Sequence, residues 1–262
     1  MQNDQINAGQ AFDWGRTSED YAKYRDIYPP MFYHKILDLG LCTNGQRVLD
    51  LGTGTGVLPR NLYQYGARFT GADPSANQIA QARRLSQKRG MDIAYVVASA
   101  EDADFPDDAF DVITACQCFC YFDSSRALAN IARMLKSSGR FAIIYMGWLP
   151  DEDAVAYASE QLVLRYNSVW SGAGDVRRPI ALPPLTADFF TVERKLVFDL
   201  RVPFTRESWH GRMKACRGIG ASLPPEKIVM FDRDHRALLN RIAPEQFEVL
   251  HYTAMTVLRV KK

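Results

Sequence analysis

Arg47-Val48-Leu49-Asp50-Leu51-Gly52-Thr53-Gly54-Thr55-Gly56 is the stretch that decides the architecture. The valine and leucine run reads as a short strand, and the alternating glycines read as a tight turn at its end. Leu58 to Tyr65 reads as the helix that follows. Downstream the alternation continues: Phe69–Asp73 is a second strand, Asn77–Arg89 a helix, Ile93–Ala98 a third strand and Phe110–Ala115 a fourth. Ser124–Leu135 is a helix stopping at Ser138-Gly139, and Arg140–Met146 is a fifth strand. Strands alternating with helices at this spacing imply a parallel sheet covered on both faces, a doubly wound α/β fold.

The flanks differ in character. Residues 1–30 are polar and aromatic and end in Pro29-Pro30; Phe32 to Leu39 is a short helical pattern that Gly40 closes. Ala154–Val169 reads as a helix, followed by Gly172-Ala173-Gly174 and a proline-rich stretch from Arg177 to Pro184. Phe189–Val202 reads as a strand, Glu207–Arg217 and Glu226–Leu239 as helices, and Phe247–Val260 as a final strand.

Of 262 residues, 47% are apolar and 24% charged, an ordinary globular balance. The 32 basic and 30 acidic side chains leave a net charge of +2, which gives no electrostatic reason for a nucleic-acid partner. The N-terminal run MQNDQINAGQ lacks the apolar centre of a secretory leader. No apolar stretch approaches the roughly 20 residues that span a bilayer. These features predict a cytoplasmic protein with no membrane partner. Five cysteines, an odd number, argue against a disulfide framework.

The glycine loop lies where open α/β sheets bind ligands, beyond the carboxyl ends of the strands. Its Gly-x-Gly-x-Gly spacing is not the Gly-x-Gly-x-x-Gly of dinucleotide-binding proteins, and it lacks the Lys-Ser/Thr of a phosphate-binding P-loop. Asp73, at the end of the second strand, is placed to accept both hydroxyls of a ribose. The alternative, a packing turn without a ligand, fits the combined spacing poorly.

Val48 to Leu62 resembles the first motif of class I S-adenosylmethionine (SAM)-dependent methyltransferases, of the methyltransferase type 11 kind. Gly71-Ala72-Asp73-Pro74-Ser75-Ala76-Asn77-Gln78 is similar to their second motif. Ser99 to Phe105, followed by Phe110-Asp111-Val112-Ile113, resembles the third, and Leu135 to Arg140 resembles the turn before strand five. The resemblance implies a Rossmann-like sheet of seven strands, the last antiparallel, and an enzyme that binds SAM and releases S-adenosylhomocysteine. It sets Gly52, Thr53 and Gly54 against the methionine part, and Asp73 and Pro74 by the ribose. Gln78, Ala100 and Glu101 fall at the adenine, and Gln117 near the sulfonium and the acceptor. Ser99 departs from the pattern: relatives often carry an aspartate there for the adenine amino group. A neutral hydroxyl accepts less strongly.

Tyr21-Ala22-Lys23-Tyr24-Arg25-Asp26-Ile27-Tyr28-Pro29 is similar to an arm found in trans-aconitate methyltransferase-like members. There the arm folds over the cofactor, which suits Arg25 to the cofactor carboxylate and Tyr21 to closing the pocket against water; packing of an amphipathic helix explains the tyrosines equally well. The domain organisation expected on this basis is an arm over residues 1–30, a SAM-binding core over 31–149, an acceptor-binding cap with strand six over 150–245, and the last core strand over 246–262.

Cys116-Gln117-Cys118-Phe119-Cys120 would place three thiols on one face if the strand continued. The spacing lacks the second pair of a structural zinc site, so packing is the favoured reading and no metal is expected. Seven basic residues lie between Arg194 and Arg217, against two acidic ones. With Arg177 and Arg178 they offer recognition of a carboxylate or phosphate on a small acceptor, or simply a solvated face. His210, opening a helix in this region, is the candidate general base. A base matters only for a protonated acceptor, since alignment for in-line displacement supplies much of the rate. The expectation is methyl transfer to a small molecule. The competing readings are a macromolecular acceptor, a SAM-binding module without catalysis, and a NAD-dependent dehydrogenase.

Overall fold

The computed structural model describes residues 6–9 and 11–262; residues 1–5 and 10 of the polar N-terminal run lie outside the described residues. Val48, Leu49 and Leu51 bury β1 (Arg47–Leu51) on both faces, as a central parallel strand requires. β1 pairs in parallel with β2 (Arg68–Asp73) and with β4 (Phe110–Cys116). β3 (Ala94–Val97) adds to β2, and β5 (Leu135–Trp148) to β4. β6 (Phe190–Thr205) and β7 (Gln246–Val260) complete seven strands in the order β3-β2-β1-β4-β5-β7-β6, the last strand antiparallel. The expected Rossmann-like α/β sheet is therefore present.

The helices form where capping and apolar spacing direct them. α1 covers Ser18–Tyr24, α2 Pro30–Asp38, α3 Val57–Leu62 and α4 Ala76–Lys88. Ser75 caps α4 by accepting from the Gln78 N–H, and Asp123 caps α5 (Ser124–Met134) by accepting from Ser125. Asp153 caps α6 (Ala154–Tyr166) through the N–H groups of Val155 and Ala156. α7 is the short Thr186–Phe189 turn that follows the proline-rich stretch. Thr205 and Ser208 form a reciprocal capping box at the start of α8 (Arg206–Lys214), and Pro225 opens α9 (Pro225–Ile242).

Two details depart from expectation. The turn expected at Ser138-Gly139 is an irregularity inside β5. Leu135 already pairs with Phe110, the register slips between Phe110 and Val112, and pairing resumes at Arg140. Gly139 is tight there, since a Cβ would stand 2.8 Å from the Lys136 carbonyl oxygen. β4 ends at Cys116, because Gln117 takes a left-handed φ of 68°. The three-thiol face expected from a continued strand therefore does not form.

Two compact units divide the chain. One comprises Pro29–Met146, Arg178–Phe198 and Thr253–Lys262. Its core includes Leu49, Leu51, Ile113, Ile131, Phe141 and Leu258. The other comprises Met1–Tyr28, Gly147–Arg177 and Asp199–Tyr252. In it α8 packs on α1 and α9, and α6 on α9, around the fully buried Trp209 and Phe231. Among the described residues, no helix is long and apolar enough to cross a membrane.

Candidate functional site

The carboxyl ends of β1, β2 and β4 stand side by side, with Leu51 opposite Ala72 on one flank and Ala115 on the other. The chain leaves β1 through Gly52, Gly54 and Gly56, all at positive φ (65°, 56° and 75°). Only glycine takes such a succession without strain. Gly52 also needs to lack a side chain: a Cβ would lie 2.6 Å from the Cys118 sulfur. The loop is stitched to its neighbours by Thr53 N–H donating to the Ala72 carbonyl at 3.0 Å and Gly56 N–H to the Thr53 carbonyl at 2.9 Å.

Asp73 ends β2 and faces this loop. Its Oδ2 accepts from the Gly54 N–H and its Oδ1 from the Ser75 N–H, both at 2.9 Å. Burial raises its pKa above the ordinary carboxylate value, and the two N–H donors oppose that rise. Each oxygen has two lone pairs, so each keeps one for a further donor. Asp50, 2% exposed in β1, accepts from the Thr114 hydroxyl at 2.6 Å. Burial pushes its pKa up to about 6, although the Thr114 and Thr53 hydroxyls favour the charged form.

Beyond β3 the chain turns at residues 100–103. Ala100 is buried, and the Glu101 carboxylate accepts from the Asp123 N–H at 2.7 Å. Ser99 donates to Asp102 at 2.9 Å and accepts from its N–H at 3.1 Å. The serine is thus engaged with a carboxylate that Arg126 also holds, at 2.5 Å. Gln78 is buried on α4, one turn after the exposed Pro74. Gln117 donates through Nε2 to the Met146 carbonyl at 2.6 Å, and its N–H reaches the Ile144 carbonyl at 2.8 Å. A non-glycine residue held at positive φ by two bonds to β5 is a strained position, of the kind found at ligand sites. Cys118 donates to the Leu51 carbonyl at 3.1 Å; among the described residues no group of three or more metal-ligating side chains forms.

Gly52, Thr53, Gly54, Asp73, Pro74, Gln78, Ala100, Glu101 and Gln117 therefore belong to one unit, Gln78 on α4 and the others at or just beyond the carboxyl ends of its strands. Tyr21 and Arg25 belong to the other. There the Arg25 guanidinium stacks 4.7 Å over the Tyr21 ring, and Tyr21 meets Trp14 edge-on. Tyr24 packs on Gly211 of α8 and donates to Glu207 at 2.7 Å.

His210 has a setting unlike that of a base. It is 1% exposed, and Nε2 lies 2.8 Å from Asp232 while Nδ1 lies 3.0 Å from His235 Nδ1. His235 in turn meets the Ser159 hydroxyl at 3.0 Å, which Trp209 also reaches at 2.9 Å. Both ring nitrogens are occupied, and burial lowers its pKa despite Asp232. A base needs a free lone pair facing its substrate. The geometry makes His210 a link in a helix-bonding network instead.

Three residues of this region were not singled out from sequence. Thr114 anchors Asp50, and Asp102 takes the Ser99 hydroxyl. Asn130 on α5 donates to the carbonyls of Ala100 at 3.1 Å and Ala103 at 3.0 Å. An asparagine inside a helix whose neighbours Ala127, Leu128 and Ile131 are buried is a signal, since it is a poor helix former retained for its side chain.

Residues 49–143 match the family model of a methyltransferase domain. Over 113 residues the chain is 37% identical to demethylmenaquinone methyltransferase of Thermus thermophilus, covering 42% of this chain and 51% of that protein. The chain spans about half the length of the curated relatives it matches. The crystal structure of YcgJ from Bacillus subtilis shares the fold at a TM-score of 0.53, with 20% identity, over 88% of this chain and 98% of that one. So does geranyl diphosphate C-methyltransferase from Streptomyces coelicolor, crystallised with S-adenosylhomocysteine, at 0.52 and 19% identity over 88% and 76%.

Proposed function

We propose that this chain is a SAM-dependent methyltransferase acting on a small molecule. The observation that carries the reading is the Asp73 carboxylate bonded to the Gly54 N–H beside a loop of positive-φ glycines. This setting fits a nucleoside ligand: Asp73 keeps one lone pair on each oxygen for the two ribose hydroxyls, and the loop bares its main chain. The methyltransferase-domain match over residues 49–143 supports the same assignment. Gly52, Thr53 and Gly54 are assigned to the methionine part, Pro74 and Gln78 to the nucleoside, and Ala100 and Glu101 to the adenine. Asp102, reached through Ser99, offers the carboxylate that Ser99 itself lacks. On the likeness of their arm, Arg25 is assigned to the cofactor carboxylate and Tyr21 to covering the cofactor.

When bound, SAM supplies a methyl group on a sulfonium that already contains its leaving group. What the chain adds is binding and orientation. Asp73 fixes the sugar, the 100–103 turn fixes the base, and Gln117, held by β5, fixes the strand end next to the glycine loop. Alignment alone contributes several kcal/mol to such a transfer. With His210 engaged on both nitrogens, we assign no general base. An acceptor that arrives ionised needs none.

Calorimetric titration with SAM, S-adenosylhomocysteine and NAD tests the reading. Micromolar binding of the two sulfur compounds, and none of NAD, is the expected result. Binding of NAD alone would transfer the glycine loop to dehydrogenase chemistry and sink the methyltransferase assignment.

A further inference from the structure

Arg212, on α8, is 5% exposed, and its Nε and Nη1 are buried without a hydrogen-bond partner among the described residues. Its plane lies over the Trp148 ring, 4.9 Å from the centroid. The groups acting on it most strongly are Arg25, Cys216, Tyr21 and Tyr28, none of which is a carboxylate. Burial, and then repulsion from Arg25, lower its pKa to about 9. His251 adds a second unsatisfied group at the same aromatic wall. Its ring meets Trp148 edge-on at 6.3 Å, Nδ1 bonds the Val249 carbonyl, and Nε2 is buried with no partner among the described residues.

Three neighbouring cations are paired with carboxylates. Arg177 is clasped by Glu152 and Asp199, Arg206 bonds the Ala243 carbonyl and pairs with Glu245, and Lys214 pairs with Asp20 and Asp232. Arg194, Lys195 and Arg201 are exposed along β6. Burying an unpaired guanidinium costs several kcal/mol, and proteins retain such an arrangement where a counter-ion completes it.

We propose that Arg212 is an anion-recognising residue, binding a carboxylate or phosphoryl group of a small molecule within the helical unit. The guanidinium offers its unbonded Nε and Nη1 donors, on different edges of one plane, to an anion, and Trp148 backs its face. His251 Nε2, an acceptor, suits a hydroxyl on the same molecule. The anion site stands on Arg212 and its surroundings and is independent of the ligand assigned to the glycine edge.

The test is calorimetric titration of the full-length protein, first with S-adenosylhomocysteine and then, on that complex and on the protein alone, with succinate and with inorganic phosphate. The wild type is expected to bind at least one of them, succinate marking a carboxylate subsite and phosphate a phosphoryl subsite. Arg212→Met, which keeps a long side chain over Trp148, is expected to lower that affinity at least tenfold and to leave S-adenosylhomocysteine affinity within twofold. Equal anion affinity in variant and wild type, or no anion binding by the wild type, overturns the proposal. A parallel loss of S-adenosylhomocysteine binding would give Arg212 to the cofactor and overturns it too. Should Arg212→Met fail to melt cooperatively, Arg212→Lys decides: a threefold or greater weakening supports the assignment, and unchanged affinity removes it. A wild type that binds anion but no S-adenosylhomocysteine sinks the methyltransferase reading and leaves the anion site standing.

Discussion

Asp73 concentrates the chemistry of the glycine edge in one side chain. Its oxygens satisfy the N–H groups of Gly54 and Ser75, so it shapes the loop before any ligand arrives. Its remaining lone pairs face the role proposed at the ribose. Asp73→Ala is therefore expected to weaken S-adenosylhomocysteine binding at least tenfold, about 1.4 kcal/mol. It also strands two backbone donors, at a cost in stability of about 1–3 kcal/mol if they remain dry. Calorimetry and urea unfolding on the same variant separate the two effects. Unchanged affinity in a folded Asp73→Ala protein removes the ribose assignment. Gly52 belongs beside it in the argument, because the Cys118 sulfur occupies the space a side chain would need. The cysteine packs against the loop, which is the bland reading of that thiol.

At the scale of elements, α5 and the turn it supports make the next case. Asn130 bonds the carbonyls of Ala100 and Ala103, so it clamps the segment assigned to the adenine without being assigned to the ligand itself. Asn130→Ala is expected to lower the unfolding free energy by about 1–2 kcal/mol. It should also weaken S-adenosylhomocysteine binding less than Asp73→Ala does. Hydrogen exchange of residues 100–103 should rise in the variant, and unaltered exchange would show that the turn holds itself. The strands β1, β2 and β4 were legible because buried parallel strands are continuous apolar runs ended by glycine or acid. The glycine loop and Asp73 were legible for the same reason, since backbone freedom and charge are properties of single residues. Less was legible where packing decides. The β5 irregularity and the left-handed Gln117 come from pairing between strands far apart in the chain. Arg212 is one of seven basic residues that the sequence offers either for anion recognition or as a solvated face; its burial against Trp148 is a tertiary fact. His210 likewise became a network residue through Asp232 and His235 on α9, which no local pattern announces.

For the whole molecule these buried groups set the response to acid. His235 and His251 are 0% and 1% exposed, and burial pushes both pKa values down to about 3, while His210 shifts in the same direction. An unfolded imidazole titrates near 6.5, so below that pH the unfolded chain takes up protons that the folded chain refuses. Stability from these two rings is complete above pH ~6.5 and falls on acidification by ~1.4 kcal/mol per pH unit for each. Asp50 acts with the opposite sign. Its folded pKa of about 6 exceeds the unfolded carboxylate value, so acidification through that window stabilises the folded state. Asp73 and Glu160, raised by burial, offset the loss as Asp50 does, while His210 adds to it. The two imidazole windows reach lower than these offsets, to about pH 3, so the net change on acidification is a loss. Glu207, pushed down to about 2 by Arg236 and Tyr24, adds to the loss below its ordinary pKa. Urea unfolding at pH 7.5, 5.5 and 4.5 should therefore show weakening, with Asp50→Asn steepening it because that offset is gone. Stability that holds level to pH 4.5 would mean that the imidazoles titrate normally and are not sealed in the interior. A slope unaffected by Asp50→Asn would mean that the carboxylate beside the glycine loop is ionised as in water. The two failures are distinct, since one concerns the helical unit around Trp209 and the other the strand end that leads into the glycine loop.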